Sequence, residues 1–163
     1  MDTQVETAGP GQSSQRYPVW LMLMLMLVAL SSFIDRVIVA TLGPAIKADL
    51  GISDTQFGLL TGLAFALLYT SAGIPVARLA DRFNRVRLLA AATTIWSVMT
   101  MLSAAASSYL QLLLLRLGVG IGESAANPCT ISLVSDRFPR HRRGSALAVV
   151  ALGASLGSLV GGF

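Results

Sequence analysis

Charged side chains are scarce in this sequence. Asp, Glu, Lys and Arg together make up 12% of its 163 residues, whereas a soluble domain carries about 25%. So few charges cannot coat a globule of this size, which excludes an ordinary soluble fold. Apolar residues make up 54% of the chain and fall in long runs, and a run of roughly 18 matches the ~30 Å hydrocarbon core of a bilayer. We therefore predict an all-α integral membrane protein whose main partner is the lipid bilayer.

Cysteine and histidine are almost absent, which excludes most site chemistry. Cys129 is the single cysteine and His141 the single histidine, so neither an intrachain disulfide nor a Cys/His metal site is possible. We find no nucleophile with a nearby base and no strand-to-helix phosphate loop. The segment GVGIGE lies inside an apolar run and lacks the Lys-Ser/Thr of such a loop. We expect no enzyme, no catalytic residue, no metal and no cofactor.

The chain divides into a polar tail and five apolar segments. Residues 1–16 are rich in Gly, Pro, Ser and Gln and predict a disordered tail. They lack the charged start of a signal peptide, and four more apolar segments follow the first. Residues 17–163 are predicted to form a helix bundle, and Gly43-Pro44 to end its first helix before a polar loop at 45–54. The predicted membrane helices cover about 19–42, 55–77, 88–107, 110–138 and 145–163.

Positive charges outside the apolar segments are concentrated on one side of the membrane. Lys47 stands alone on one side, and nine arginines belong to the other. This bias predicts a multi-pass protein of the inner membrane with a cytoplasmic N-terminus. Short basic clusters between apolar runs do not form a nucleic-acid groove, so we expect no nucleic-acid partner despite a pI near 10.0. The nine are Arg16, Arg78, Arg82, Arg85, Arg87, Arg137, Arg140, Arg142 and Arg143.

Small residues recur every four positions on two of the segments. Such stripes let helix backbones approach closely and predict a packed bundle. One stripe lies on the second segment and the other on the fifth. They comprise Gly58, Gly62, Ala66 and Thr70, and Gly153, Gly157 and Gly161.

Four ionisable residues interrupt the apolar segments: Asp35, Arg36, Arg116 and Glu123. Each costs roughly 2.5–3.5 kcal/mol at a helix centre, so such residues normally face a cavity or a partner and mark function. At 1.5 Å per residue, Asp35 and Arg116 lie about 10 Å and 9 Å below the same surface. We predict a polar cluster between the first and fourth helices, with Glu123 near the midplane as a proton relay. The alternative is a static set of ion pairs that orients the helices.

The fourth segment also carries Gly118, Gly120 and Gly122, followed by Asn127-Pro128. Proline frees a backbone carbonyl and kinks a helix. The glycines fit either the wall of a substrate cavity or plain helix packing.

Residues 77–87, ARLADRFNRVR, resemble the loop signature of the major facilitator superfamily between its second and third helices. Asp81, Arg82, Arg85 and Arg87 match that signature, while Ala77 and Asn84 replace its glycines. The resemblance implies a loop that latches the two halves of a transporter on the cytoplasmic side. It also implies that Asp81 accepts hydrogen bonds from an arginine of the next loop.

The fourth segment with its following loop, RLGVGIGESAANP and SDRFPRHRRGSALA, resembles the spinster-like branch of that superfamily. The first segment, with its Asp-Arg pair and Asp54, is similar to the same branch. The resemblance implies twelve helices in two halves with alternating access, and substrate or proton coupling at Asp35, Arg36, Arg116 and Glu123. It also implies export of lipid-like substrates. The glycines of the fifth segment are similar to an antiporter motif, with Ser158 at the place of its proline.

These observations lead to one expectation and two alternatives. We expect the N-terminal fragment of a proton-coupled secondary transporter for a small amphipathic or anionic substrate. It would hold five of twelve helices and need its missing C-terminal half as a partner. The first alternative is an organic-anion symporter or drug exporter of the same superfamily. The second is a nontransporting membrane remnant or partner-binding protein.

Overall fold

The computed structural model describes residues 13–162, with side chains from Val19 onward. Residues 1–12 of the predicted tail lie outside the described residues. The described part is helical, with short turns and no strand. Its helices are α1 Ser13–Thr41, α2 Gly43–Leu50, α3 Asp54–Gly58, a π-helical turn Leu59–Leu63, α4 Ala64–Arg82, α5 Arg85–Ser103, α6 Tyr109–Glu123, α7 Ala126–Arg137 and α8 Arg140–Gly161.

Four helical stretches are long and apolar enough to cross a membrane. They are Val19–Thr41, Asp54–Arg82, Arg85–Ser103 and Arg140–Gly161. The second of these joins α3, the π turn and α4 into one continuous rod. Many large apolar side chains on these rods are exposed, Leu63 and Met101 among them, as expected for surfaces that face lipid. The predicted all-α membrane bundle is therefore confirmed.

The fourth predicted crossing, 110–138, is two helices and not one. α6 ends at Glu123 and α7 begins at Ala126. Pro128 explains the break, because it has no N–H to donate to the carbonyl four residues earlier and its ring clashes with that carbonyl. That carbonyl belongs to Ser124, which lies in the break. The sequence predicts a kink here within one continuous helix, and the continuity is wrong.

The predicted loop at 45–54 is also wrong over most of its length. α2 occupies Gly43–Leu50, with Pro44 in its first turn and Gly51 in the left-handed conformation, φ 61°, at its C-terminal end. Proline is tolerated in a first turn because its missing N–H would have no helical partner there, and glycine adopts positive φ without a Cβ penalty. Gly43 and Pro44 therefore end α1 and also start α2.

Helix ends extend beyond the predicted apolar limits. α1 begins at Ser13, so the last four residues of the predicted tail are helical. The two predicted basic loops shrink to short turns at 83–84 and 138–139, and most of their arginines lie on helices. Extending an existing helix adds one hydrogen bond per residue, so a helix does not stop where its apolar residues do.

α8 packs along α1 through its three glycines. A Cβ at Gly153 or Gly157 would collide with a backbone carbonyl oxygen of α1, that of Met26 or Leu30 respectively. A Cβ at Gly161 would lie 3.0 Å from the Cβ of Val37. The two helices thus meet backbone to backbone, which small residues permit. At Gly58 and Gly62 of the other predicted stripe, no described atom lies within 4 Å of an added Cβ.

α5 and α4 pack on α6 and bring the fourth crossing into the middle of the bundle. Trp96 is 1% exposed and Val119 is fully buried, and they form a core cluster with Phe65. The bundle has two distinct ends. At the basic end α4 passes into α5 and α7 into α8. At the α2 end α1 finishes, α2 begins, α5 finishes and α6 begins.

Candidate functional site

Arg36 of α1 and Glu123 of α6 form an ion pair inside the bundle. Arg36 donates from Nη2 and Nε to the same carboxylate oxygen, Oε2, at 2.7 and 3.0 Å. The Glu123 side chain has no exposed surface, and that of Arg36 keeps 36%. The second oxygen, Oε1, is buried with no hydrogen-bond partner in the described part of the chain. The carboxylate is therefore held on one side and unsatisfied on the other.

Arg116 lies on the same face of α6 as Glu123, two turns earlier. It is 3% exposed, and its Nε has no hydrogen-bond partner among residues 13–162. It forms no ion pair with another described residue. Its guanidinium carbon lies 5.9 Å from the ring centre of Phe65. A buried guanidinium with an unused donor is costly, and such donors are normally satisfied by protein or by ordered water.

Asp35 points to a third helix. Its Oδ2 accepts a hydrogen bond of 3.2 Å from the hydroxyl of Thr100 on α5. The four predicted residues therefore meet in one region. Arg36 and Glu123 form the cluster expected between α1 and α6, whereas Asp35 bonds to α5 and Arg116 stays unpaired within the described chain.

Aromatic rings surround the Arg36 guanidinium. Its carbon lies 5.6 Å from the ring centre of Phe33 and 5.2 Å from those of Phe65 and Tyr69. The rings of Phe65 and Tyr69 stack at 6.0 Å, and the Tyr69 hydroxyl accepts a 3.2 Å hydrogen bond from Asn127 Nδ2. These rings were not predicted from the sequence, although Phe65 and Tyr69 stand four residues apart on one helix and therefore share a face.

The glycines of α6 bring neighbouring helices close to the charged residues. A Cβ at Gly118 would lie 3.0 Å from the Met99 side chain, and one at Gly120 would lie 3.4 Å from the Phe65 ring. At Gly122 it would lie 2.8 Å from the Cβ of Trp96. Of the two interpretations left open by the sequence, all three contacts favour helix packing.

Formal charge within the site sums to zero when all four groups are ionised, with two carboxylates against two guanidiniums. Removing one partner of a buried pair leaves an uncompensated charge, which is strongly unfavourable. Adding a proton to either carboxylate would leave an excess positive charge, which an anion could neutralise. The arrangement can therefore link the protonation of a carboxylate to the release or capture of an anionic group.

The basic end carries the four predicted signature residues. Arg85 pairs with Asp136 of α7 and donates from Nε to the Ala80 carbonyl at 3.2 Å. Asp81 is exposed and makes no ion pair with any described residue, so the acceptor role that the resemblance implies for it stays a prediction. The arginine acceptor observed at this end is Asp136 of α7. Arg82 and Arg87 are exposed on the ends of α4 and α5.

Asn84 shows why the missing signature glycine is tolerated. Its backbone is extended, with φ −64°, and its side-chain oxygen accepts from the N–H groups of Val86 and Arg87. A residue with negative φ does not need glycine, and asparagine is a favoured N-cap. Asn84 therefore lacks the conformational freedom of glycine but caps the N-terminus of α5.

A helical bundle that crosses the membrane several times and holds an ion pair in its interior is the architecture of a membrane transporter domain. The chain belongs to the Major Facilitator Superfamily, whose sequence profile matches residues 24–163. The family consists of transporters and not of enzymes.

Similar proteins include members of the spinster group. A protein described as an MFS-type efflux pump of Mycolicibacterium smegmatis is 40% identical over 141 residues, 85% of this chain and 33% of that protein. Protein spinster homolog 1 of Xenopus tropicalis is 30% identical over 154 residues, 91% of this chain and 29% of that protein. The crystal structure of a bacterial homolog to the human lysosomal transporter Spinster, inward-facing and unoccupied, matches with TM-score 0.85 and 38% identity, covering 89% of this chain and 30% of that chain. The resemblance to the spinster-like branch is therefore confirmed, and the chain spans about a third of the length of these relatives.

Proposed function

We propose that this chain is the part of a proton-coupled secondary transporter that carries the coupling residues, working by alternating access on a small amphipathic or anionic substrate. The observation that carries the proposal is the buried pair of Arg36 and Glu123, with one carboxylate oxygen unsatisfied. Ionisable residues within membrane spans mark ion and substrate pathways. The transporters among its relatives, including an efflux pump and a spinster homolog, support the same class of function.

Protonation of Glu123 would uncouple the pair. Oε1 is the oxygen without a partner, so a proton can be added there without first breaking a hydrogen bond. A neutral carboxyl loses the ionic part of both bonds to Arg36, and charge-assisted bonds contribute about 1.5–3 kcal/mol each. Arg36 then becomes free to bind an anionic group of the substrate.

The surroundings of Arg36 suit an amphipathic anion. Its guanidinium is partly exposed and stands beside the rings of Phe33, Phe65 and Tyr69. A guanidinium binds carboxylate and phosphate oxygens in a bidentate manner, and aromatic rings accommodate an apolar body. Lipid-like acids fit this combination.

The basic end would face the cytoplasm of an inner membrane. Most of the arginines outside the apolar spans lie at this end of the helices, and Lys47 lies on α2 at the other end. Positive residues are retained on the cytoplasmic side, so the N-terminus would lie there as well. A substrate cavity of this fold lies between two halves, so transport requires a C-terminal half. Sequencing beyond codon 163 tests whether such a half is encoded. We expect about seven further apolar segments, since the family has twelve helices.

Uptake into proteoliposomes tests the coupling. In the complete transporter, with a fluorescent lysophospholipid as the probe, Glu123→Gln is expected to abolish accumulation driven by a pH gradient. Exchange of the probe between equal pools should continue, because it needs no net proton movement. Glu123→Asp is the matched control that keeps a carboxyl group. Unaltered accumulation in Glu123→Gln would show that Glu123 is not the coupling residue.

A further inference from the structure

A cavity of about 270 Å³ lies beneath α2, between the ends of α1, α5 and α6. Liquid water occupies ≈ 30 Å³ per molecule, so several molecules fit. Most of the lining is apolar, and the polar groups that line it come from α2, α5 and α6. They are Asp49, Thr100, Ser103 and Arg116.

The cavity opens at the α2 end of the bundle. Leu42, Ile46 and Asp49 line it and also line a wider concavity of about 580 Å³ on the surface of α2. Asp49 is exposed. A carboxylate at the mouth of a water-sized cavity attracts cations and raises their local concentration.

The inner end of the cavity reaches the charged site. Thr100 lines the cavity and also donates its hydroxyl proton to Oδ2 of Asp35 at 3.2 Å. Arg116, 3% exposed, lines it as well, and its Nε lacks a partner among the described residues. A buried donor of this kind is normally satisfied by protein or by ordered water. Water in the cavity would therefore be held between Asp49 at the mouth and Arg116 and Thr100 at the base.

We propose that this cavity is the proton entry path to Asp35 from the α2 end, and that Thr100 is its last relay. A hydroxyl group has one donor and two acceptor sites. Hydronium in the cavity gives a proton to Thr100 Oγ1, and Thr100 passes its own hydroxyl proton to Asp35 Oδ2. One water remains in the cavity, the threonine hydroxyl is restored and Asp35 is neutral. The inference rests on the proposed function and adds the route by which the proton arrives.

The charges around Asp35 are few and are all identified. Arg36 is its neighbour on α1, and α6 contributes Arg116 and Glu123. α2 contributes Asp49 at the mouth of the cavity. Near this level, the stretches of α4, α5 and α8 that cross the bundle carry one further titratable side chain, Tyr69 of α4, whose ring centre lies 5.2 Å from the Arg36 guanidinium carbon. A proton that reaches Asp35 therefore changes the net charge of the group formed by Asp35, Arg36, Arg116 and Glu123.

Thiol labelling tests whether the cavity holds water. The full chain, with Cys129→Ala to remove the native thiol, would carry either Thr100→Cys or Met101→Cys in sealed vesicles. The two positions differ in depth by about 1.5 Å, but Met101 is 70% exposed on the outside of α5. A charged, membrane-impermeant thiol reagent added at the α2 end should modify Thr100→Cys at least about tenfold faster, because only a hydrated thiol forms the reactive thiolate. Equal and slow labelling of both would overturn the proposal.

A pH jump followed by infrared spectroscopy tests the relay. Protonation of Asp35 should appear as a carboxyl band that Asp35→Asn removes. Thr100→Val, which keeps the shape of threonine, should slow the rise of this band by roughly a hundredfold, the low end of what a positioned acid–base group contributes. Thr100→Ser should restore the wild-type rate. A wild-type rate in Thr100→Val would overturn the relay while leaving proton coupling intact, whereas a wild-type chain without the band would refute protonation of Asp35 itself.

Discussion

Gly122 of α6 lies directly against Trp96 of α5. A Cβ at this glycine would stand 2.8 Å from the Cβ of Trp96 and 3.0 Å from the carbonyl oxygen of Ala92. Both neighbours are close to the helix backbone and cannot swing aside as the end of a long side chain does. The next residue is Glu123, so this contact fixes the position of the carboxylate that binds Arg36.

Gly122→Ala should therefore lower stability and displace the ion pair. Overpacking of a dense core costs typically 1–3 kcal/mol, and we expect a loss of about that size. The measurement is thermal unfolding of the purified chain in detergent. Gly73→Ala is the matched control, since no described atom lies within 4 Å of a Cβ at Gly73 and alanine favours helix by about 1 kcal/mol over glycine. Equal stability of the two variants would contradict the close contact.

The two single substitutions of the ion pair should lower stability by different amounts. Arg36→Gln leaves the buried Glu123 carboxylate unpaired, and breaking a buried pair costs about 3–5 kcal/mol. The loss here should be at the low end, because the Arg36 side chain is 36% exposed. Glu123→Gln leaves the partly hydrated arginine unpaired and should cost less.

The double variant, Arg36→Gln with Glu123→Gln, should be more stable than Arg36→Gln alone. Unfolding free energies of the four proteins give the coupling energy of the pair. Additive losses would mean that the two residues do not interact. The single variant Arg36→Lys keeps the charge but not the pair of donors that share Oε2, so its stability should fall between those of the wild type and Arg36→Gln.

Phe65 is the ring shared by both arginines, at 5.2 Å from Arg36 and 5.9 Å from Arg116. Phe65→Leu keeps an apolar side chain and removes both cation–π contacts. Each such contact contributes ≈ 0.5–1 kcal/mol at exposed sites and more when desolvated. We expect substrate affinity to fall by several-fold to about thirtyfold on these magnitudes, measured by probe binding to the complete transporter. Phe83→Leu, at a 64% exposed position, should leave affinity unchanged.

The class of fold followed from composition, while the helix limits did not. Long apolar runs with few charges permit little besides membrane helices. Limits depend on local groups that hydropathy does not detect. Pro128 divides the fourth crossing because its ring excludes one hydrogen bond, and Gly51 lets α2 end where a polar loop was expected.

The sequence located the candidate site, because placing its charged residues in lipid costs free energy. It did not determine which of these residues form an ion pair. Placing Asp35, Arg36, Arg116 and Glu123 in lipid is unfavourable, so they had to share an interior. Which arginine meets Glu123 depends on the rotation of α1 against α6, and no pattern within one helix fixes that angle. Helical spacing puts Arg116 and Glu123 on one face two turns apart but names no partner for Glu123, and the structure pairs Glu123 with Arg36.

The contact of α8 with α1 couples the two helices mechanically. Side chains that interdigitate can change rotamer and let helices slide, but a glycine pressed against a carbonyl oxygen has no such freedom. Gly153 and Gly157 therefore make α1 and α8 behave as one rigid pair of helices. α8 carries no ionisable residue beyond Arg143, yet any tilt that α1 undergoes when Arg36 loses its partner is transmitted to α8. A tilt of α1 would therefore move two helices of the bundle together.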